Sequence, residues 1–168
     1  ASFPEKPDRV SESLSKSLAA AVHETKLLPS PAGIGGRTSQ FGFSVSVDGN
    51  RALVGGPLLA GSGAAIVFED SGSGWVEVAI LQPADGEQSD EFGWAVSLSG
   101  SRALVGAPSD DDAGFSSGSA YVFAEGAEGW VQTAKLTAED AATFDRFGWS
   151  VSLSGERALV GAYEDDDN

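Results

Sequence analysis

The side chains able to do chemistry in this 168-residue chain are few, and nearly all are acidic. There is no Cys and a single His, His23. Disulfides, thiolate-ligated metal centres and thiol nucleophiles are therefore excluded. Two acidic runs stand out, Asp110-Asp111-Asp112 and Asp165-Asp166-Asp167 with Asn168 after it. Calcium takes about six to eight oxygen ligands, often carboxylates, so these six Asp residues are the candidate cation ligands and calcium the candidate ion. Adjacent side chains diverge, however, and do not all converge on one ion. The plainer expectation is a pair of solvated loops whose Asp residues stabilise turns and keep the chain soluble, with no cofactor. Asp90 and Asp145, each two residues before a Phe-Gly pair, are expected to accept hydrogen bonds from backbone N–H groups of a turn.

Catalysis finds little to work with. No Ser or Cys nucleophile can be paired with a matched base, and no Gly-x-x-x-x-Gly-Lys segment is present to cradle phosphate. His23 is expected to be an exposed strand residue. The expectation is a protein that is not an enzyme. Trp75, Trp94, Trp130 and Trp149 would suit a ligand-stacking platform, but they recur in pairs at equivalent positions, which favours packing in the core or between repeats. Arg51, Arg102 and Arg157 also recur, and each is expected to pair with an acidic residue of its own or the next repeat. With 25 Asp+Glu against 10 Lys+Arg, the net charge of −15 has the wrong sign for a nucleic-acid partner. No apolar run approaches the ~18 residues of a membrane-spanning helix.

These residues are positioned by a repeat. Phe-Gly occurs at Phe41, Phe92 and Phe147, and Arg-Ala-Leu-Val-Gly begins at Arg51, Arg102 and Arg157, both at spacings of 51 and 55. A third block reads Ala21–Leu27, Trp75–Leu81 and Trp130–Leu136. A fourth reads Gly63–Phe68 and Gly118–Phe123. The Phe-Gly block alternates large and small residues: Phe92, Trp94, Val96 and Leu98 share one face, and Gly93, Ala95, Ser97 and Ser99 the other. That is a strand whose small face lets a neighbouring sheet come close. Ala103-Leu104-Val105-Gly106 is apolar on both faces and should be buried on both. The connections Asp48-Gly49-Asn50, Ser99-Gly100-Ser101 and Ser154-Gly155-Glu156 signal hairpins. One repeat is thus four antiparallel strands in about 50 residues. Such a sheet needs similar neighbours on each face. The expected fold is all-β, built from four-stranded antiparallel blades of a β-propeller, with a sandwich as the alternative.

The repeats resemble FG-GAP repeats, the blade unit of the integrin alpha-subunit propeller. The resemblance rests on Phe41-Gly42 with Gly55-Gly56-Pro57, Phe92-Gly93 with Gly106-Ala107-Pro108, and Phe147-Gly148 with Gly161-Ala162-Tyr163. It implies a non-catalytic extracellular or cell-surface scaffold for adhesion, with a protein or glycan partner. Many family members hold calcium between the first two strands of a repeat. The short connections here are too poor in carboxylates, so that site is not carried over.

Residues 1–20 stand outside the repeat as an arm, in which Ser11–Ala20 reads equally as a short amphipathic helix or as part of a disordered tail. Residues 21–168 are expected to hold one outer strand, two full repeats and the first two strands of another. Those eleven strands make about three incomplete blades, too few for a ring of ~4–8. They are expected to belong to a longer chain, or to complete a ring or polymerise with other chains as a structural subunit. The absence of an apolar leader segment fits a mature, already cleaved chain as well as a cytosolic one; the resemblance and the acidic, Cys-free, Gly-rich composition favour export.

Overall fold

The computed structural model describes residues 25–30 and 39–166. The arm at 1–20 and His23 lie outside the described residues, as do Asp167 and Asn168. The described residues form ten strands: β1 (Ser44–Asp48), β2 (Arg51–Gly56), β3 (Ala64–Asp70), β4 (Trp75–Leu81), β5 (Ala95–Ser99), β6 (Arg102–Ala107), β7 (Ser119–Gly126), β8 (Gly129–Leu136), β9 (Phe147–Ser154) and β10 (Arg157–Ala162). They form three antiparallel sheets, β1-β2-β3-β4, β5-β6-β7-β8 and β9-β10. The fold is all-β, an open run of β-propeller blades of which two are complete and the third holds two strands. The outer strand expected at the start is not seen: residues 25–30 form no strand, and residues 21–24 lie outside the description.

The blades fan out from their first strands. β1 packs on β5 and β5 on β9, while the outermost strands β4 and β8 barely approach each other. This radial stacking displaces the sandwich alternative. The alternating pattern sets what each face meets. Leu53, Ala65, Val67 and Leu81 of the first blade pack against Phe92, Val96, Leu98, Ala103, Val105, Tyr121 and Phe123 of the second in one apolar cluster. The middle strands are buried on both faces, as their unbroken apolar runs require, whereas β4 and β8 alternate half-buried with exposed residues. Both complete blades carry a bulge between β3 and β4, or β7 and β8, at equivalent positions (Val67/Phe68 and Val122/Phe123). The repeat therefore extends to irregularities of the ladder.

The two signature glycines have one joint explanation. Gly93 sits at φ +93°, a left-handed conformation costly for other residues, and its N–H donates to the Gly106 carbonyl 3.0 Å away in its own blade. The next blade presses its own copy of this turn onto Gly106: a Cβ there would lie 1.9 Å from the Gly148 carbonyl oxygen. Phe-Gly and Gly-Ala-Pro are thus the two halves of each joint between blades. Serines on the small face close the axial edge. Ser46 Oγ accepts from Leu98 N at 3.0 Å, and Ser97 Oγ accepts from Leu153 N at 2.9 Å. The edge N–H groups of β5 and β9 are satisfied by the preceding blade.

Candidate binding surface

The Asp110-Asp111-Asp112 loop follows β6 and is split by the fold. Asp110 turns inward and is buried. Its Oδ2 accepts the Tyr121 hydroxyl at 2.6 Å and lies 2.9 Å from Lys135 Nζ. Lys135, on β8, also reaches Asp112 and, at 3.0 Å, Asp85 in the loop between the first two blades. One ammonium therefore meets three carboxylates. Desolvation opposes the charge on Lys135, but the hydrogen bonds it donates to Asp112, Tyr121, Asp110 and Asp85 outweigh it and hold its pKa above the ordinary lysine value. Burial and the Asp110 bond push the Tyr121 hydroxyl upward, so it remains a neutral donor. Desolvation would raise Asp85, yet its hydrogen bond to Lys135 prevails and lowers it. Where the loop offers carboxylates for a cation, the chain itself supplies one. Among the described residues, no group of three or more His, Asp or Glu side chains is arranged to hold a metal ion.

Asp111 points elsewhere. With Glu87, Asp90, Glu91, Ser109 and Phe115 it lines a hollow of about 280 Å³ between the segment that precedes β5 and the loop that follows β6. Asp90 is 5% exposed there, its Oδ2 accepting the Glu87 N–H at 2.6 Å. Desolvation, with Asp110 and Asp111 nearby, raises its pKa to about 6. Asp145 repeats the arrangement, accepting the Ala142 N–H at 2.6 Å. Both residues hold the turn before Phe-Gly, as expected. Asp165 and Asp166 follow β10 at the place of Asp110 and Asp111; both have partners within the chain.

The tryptophans divide into two sets. Trp75 and Trp130, on the outer strands, pack against the apolar clusters of the first and second blades. Trp94 and Trp149 enter a row that crosses all three blades at the start of the innermost strands. Phe43 and Trp94 have ring centroids 4.5 Å apart, Trp94 and Trp149 4.7 Å, and Trp149 and Tyr163 4.8 Å. The Arg146 guanidinium lies over the Trp149 ring at 5.5 Å. The rings stack on each other, while Phe43 (48%) and Tyr163 (62%) keep much of their surface in water. The recurring arginines pair across blades. Arg51 Nη1 lies 2.7 Å from Glu125, and Arg102 lies 3.2 Å from Glu156. Arg157 has no ion pair among the described residues.

Lys135, Tyr121 and Asp85 do not emerge from motif reading, although the repeat alignment marks two of them. Asp110, Tyr121 and Lys135 occupy the positions of Leu59, Ile66 and Ile80 in the first blade. Three separate strands and loops change from apolar to polar together, which signals one shared site.

A family model described as FG-GAP repeat matches residues 75–123 and 130–168. A search of curated proteins finds no match to the chain.

Proposed function

From the chain's membership of the FG-GAP repeat family, whose repeats build propeller-type binding scaffolds, we propose that this protein is a non-catalytic adhesion scaffold working outside the cell or on its surface. The observation that supports the reading is the row Phe43–Trp94–Trp149–Tyr163. It offers aromatic surface across successive blades on rigid strands, with acidic loops beside it. Aromatic side chains give a partner contact area at small entropic cost. The partner is a protein or a glycan, and the surrounding carboxylates favour one with basic groups at its edge.

The reading is tested by applying the labelled chain to immobilised extracellular-matrix proteins and to a glycan array, beside the F43A/Y163A variant. Both residues are exposed, so the variant keeps the fold. Retention of the wild type on at least one surface, lost in the variant, is the expected result. Equal retention of both proteins would remove the aromatic row from the reading, and no retention anywhere would remove the adhesion role.

A further inference from the structure

The turns before β5 and β9 share one backbone and differ in charge. Asp90 and Asp145 accept the N–H groups of Glu87 and Ala142, both at 2.6 Å. Their own carbonyls accept the N–H groups of Ser109 and Glu164, at 3.2 and 3.3 Å. The next residue is left-handed in each, Glu91 at φ +61° and Arg146 at φ +57°. The side chains at these matched places are not alike. In the second copy Arg146 Nε lies 3.9 Å from Glu164, and its guanidinium lies over the Trp149 ring. In the first copy Glu91 replaces that arginine and Ser109 replaces its acid, with the Ser109 hydroxyl donating to Glu91 at 2.7 Å.

The first copy therefore gathers carboxylates without a cation. Glu87, Asp90, Glu91 and Asp111 line the hollow of about 280 Å³. None of the four has an ion pair among the described residues, and Lys135 is already held by Asp85, Asp110 and Asp112. Asp90 is 5% exposed; its Oδ2 takes the Glu87 N–H, and its other oxygen takes no hydrogen bond from the described residues. A buried carboxylate oxygen left over in this way calls for a donor. Phe115, 64% exposed, stands at the rim with its ring 5.3 Å from that of Phe144. Carboxylates beside an exposed aromatic ring attract a cation by charge and by the ring's quadrupole together.

We propose that this hollow receives one guanidinium group, an arginine side chain of a partner protein, held by Asp90, Glu91 and Asp111 with Phe115 against it. The chain's own Arg146, set between an acid and an aromatic ring, is the template. A guanidinium is planar, offers several donors and stacks on aromatic faces, which suits this lining better than the point charge of a lysine. The site uses no residue of the aromatic row, so it stands apart from the adhesion reading.

The test is titration of the isotope-labelled 168-residue chain with acetyl-arginine amide, read by amide NMR shifts. The citrulline counterpart, which keeps the shape and lacks the charge, is titrated beside it. Saturable shifts confined to residues 87–91 and 109–115 are expected with arginine, and none with citrulline. Glu91→Arg copies the turn before β9, so it is expected to keep the fold and to weaken binding about tenfold or more. Phe115→Ala is expected to weaken binding roughly twofold to fivefold. Glu156→Gln removes an exposed carboxylate elsewhere and is expected to change nothing. No saturable shift, equal shifts with citrulline, shifts spread over the acidic surface, or an E91R variant that binds like the wild type would each overturn the proposal. F43A/Y163A is expected to bind the arginine amide as the wild type does, so this site and the adhesion reading fail separately.

Discussion

The ammonium of Lys135 lies 2.9 Å from the carboxylate of Asp110, at positions that the first blade fills with Ile80 and Leu59. The same chain therefore solves one packing problem twice, once with apolar side chains and once with a hydrogen-bonded ion pair. A buried pair roughly breaks even against a well-packed apolar replacement, but removing one partner strands the other charge. Lys135→Met is expected to lower stability by about 2–4 kcal/mol. The triple replacement D110L/Y121I/K135I, which copies the first blade, is expected to fall within about 1 kcal/mol of the wild type. Urea denaturation of the two variants checks both figures.

Asp90 gives a pH dependence of definite sign. Its pKa in the folded chain, about 6, is above the ordinary 3.8, so folding favours the protonated form. Its contribution is fully present below pH ~4 and is lost as pH rises through 6. Asp90→Asn removes that loss while keeping an acceptor for the Glu87 N–H. The variant is expected to exceed the wild type by roughly 2–3 kcal/mol at pH 7.5 and to match it near pH ~3.5. Thermal melts at the two pH values decide it, and a variant less stable than the wild type at pH 7.5 would refute the burial argument.

The joints between blades depend on missing side chains. A Cβ at Gly106 would meet the Gly148 carbonyl oxygen at 1.9 Å, and backbone cannot swing aside as a side-chain tip can. Gly106→Ala is expected to cost about 3 kcal/mol or more and to loosen the third blade. Gly100→Ala, in a hairpin with nothing within 4 Å, meets only the strain of φ +58° and is expected to cost about 1 kcal/mol. Hydrogen exchange across β9 and β10 reports the difference.

The serine bonds along the axis predict a local effect. Ser97→Ala deprives the Leu153 N–H of its acceptor. The expected cost is about 1 kcal/mol, with faster exchange at the Leu153 amide and none at Leu98, whose acceptor Ser46 is untouched.

The paired arginines should differ in worth. Arg51 and Glu125 are 2.7 Å apart with side chains 22% and 31% exposed, whereas Arg102 meets Glu156 with 44% and 86% exposed. Arg51→Ala is expected to cost about 1 kcal/mol in low salt, less in high salt, and Arg102→Ala close to nothing. Melting temperatures at two ionic strengths compare them.

The sequence by itself determined the blades. Period-two alternation in Phe92–Ser99, the doubly apolar run Ala103–Gly106 and the glycine hairpins each describe a local chain geometry, and local geometry is written in neighbouring residues. Repetition then made the stacking legible, because a face that recurs at 51 and 55 residues must meet a copy of itself. Tertiary structure decided the rest, since it depends on residues far apart in the chain. Asp85, Asp110, Asp112, Tyr121 and Lys135 span two loops and two strands, so the cation for the acidic loop is visible only once β8 is folded beside it. The same holds for the tryptophans. Their spacing left packing and platform as alternatives, and the fan of inner strands made Trp94 and Trp149 part of one stacked row. The charge of −15 likewise gained a location: Asp110, Asp111 and Asp112 lie in the loop after β6, and a buried carboxylate persists where donors reach it, a lysine and a tyrosine at Asp110 and a backbone N–H at Asp90.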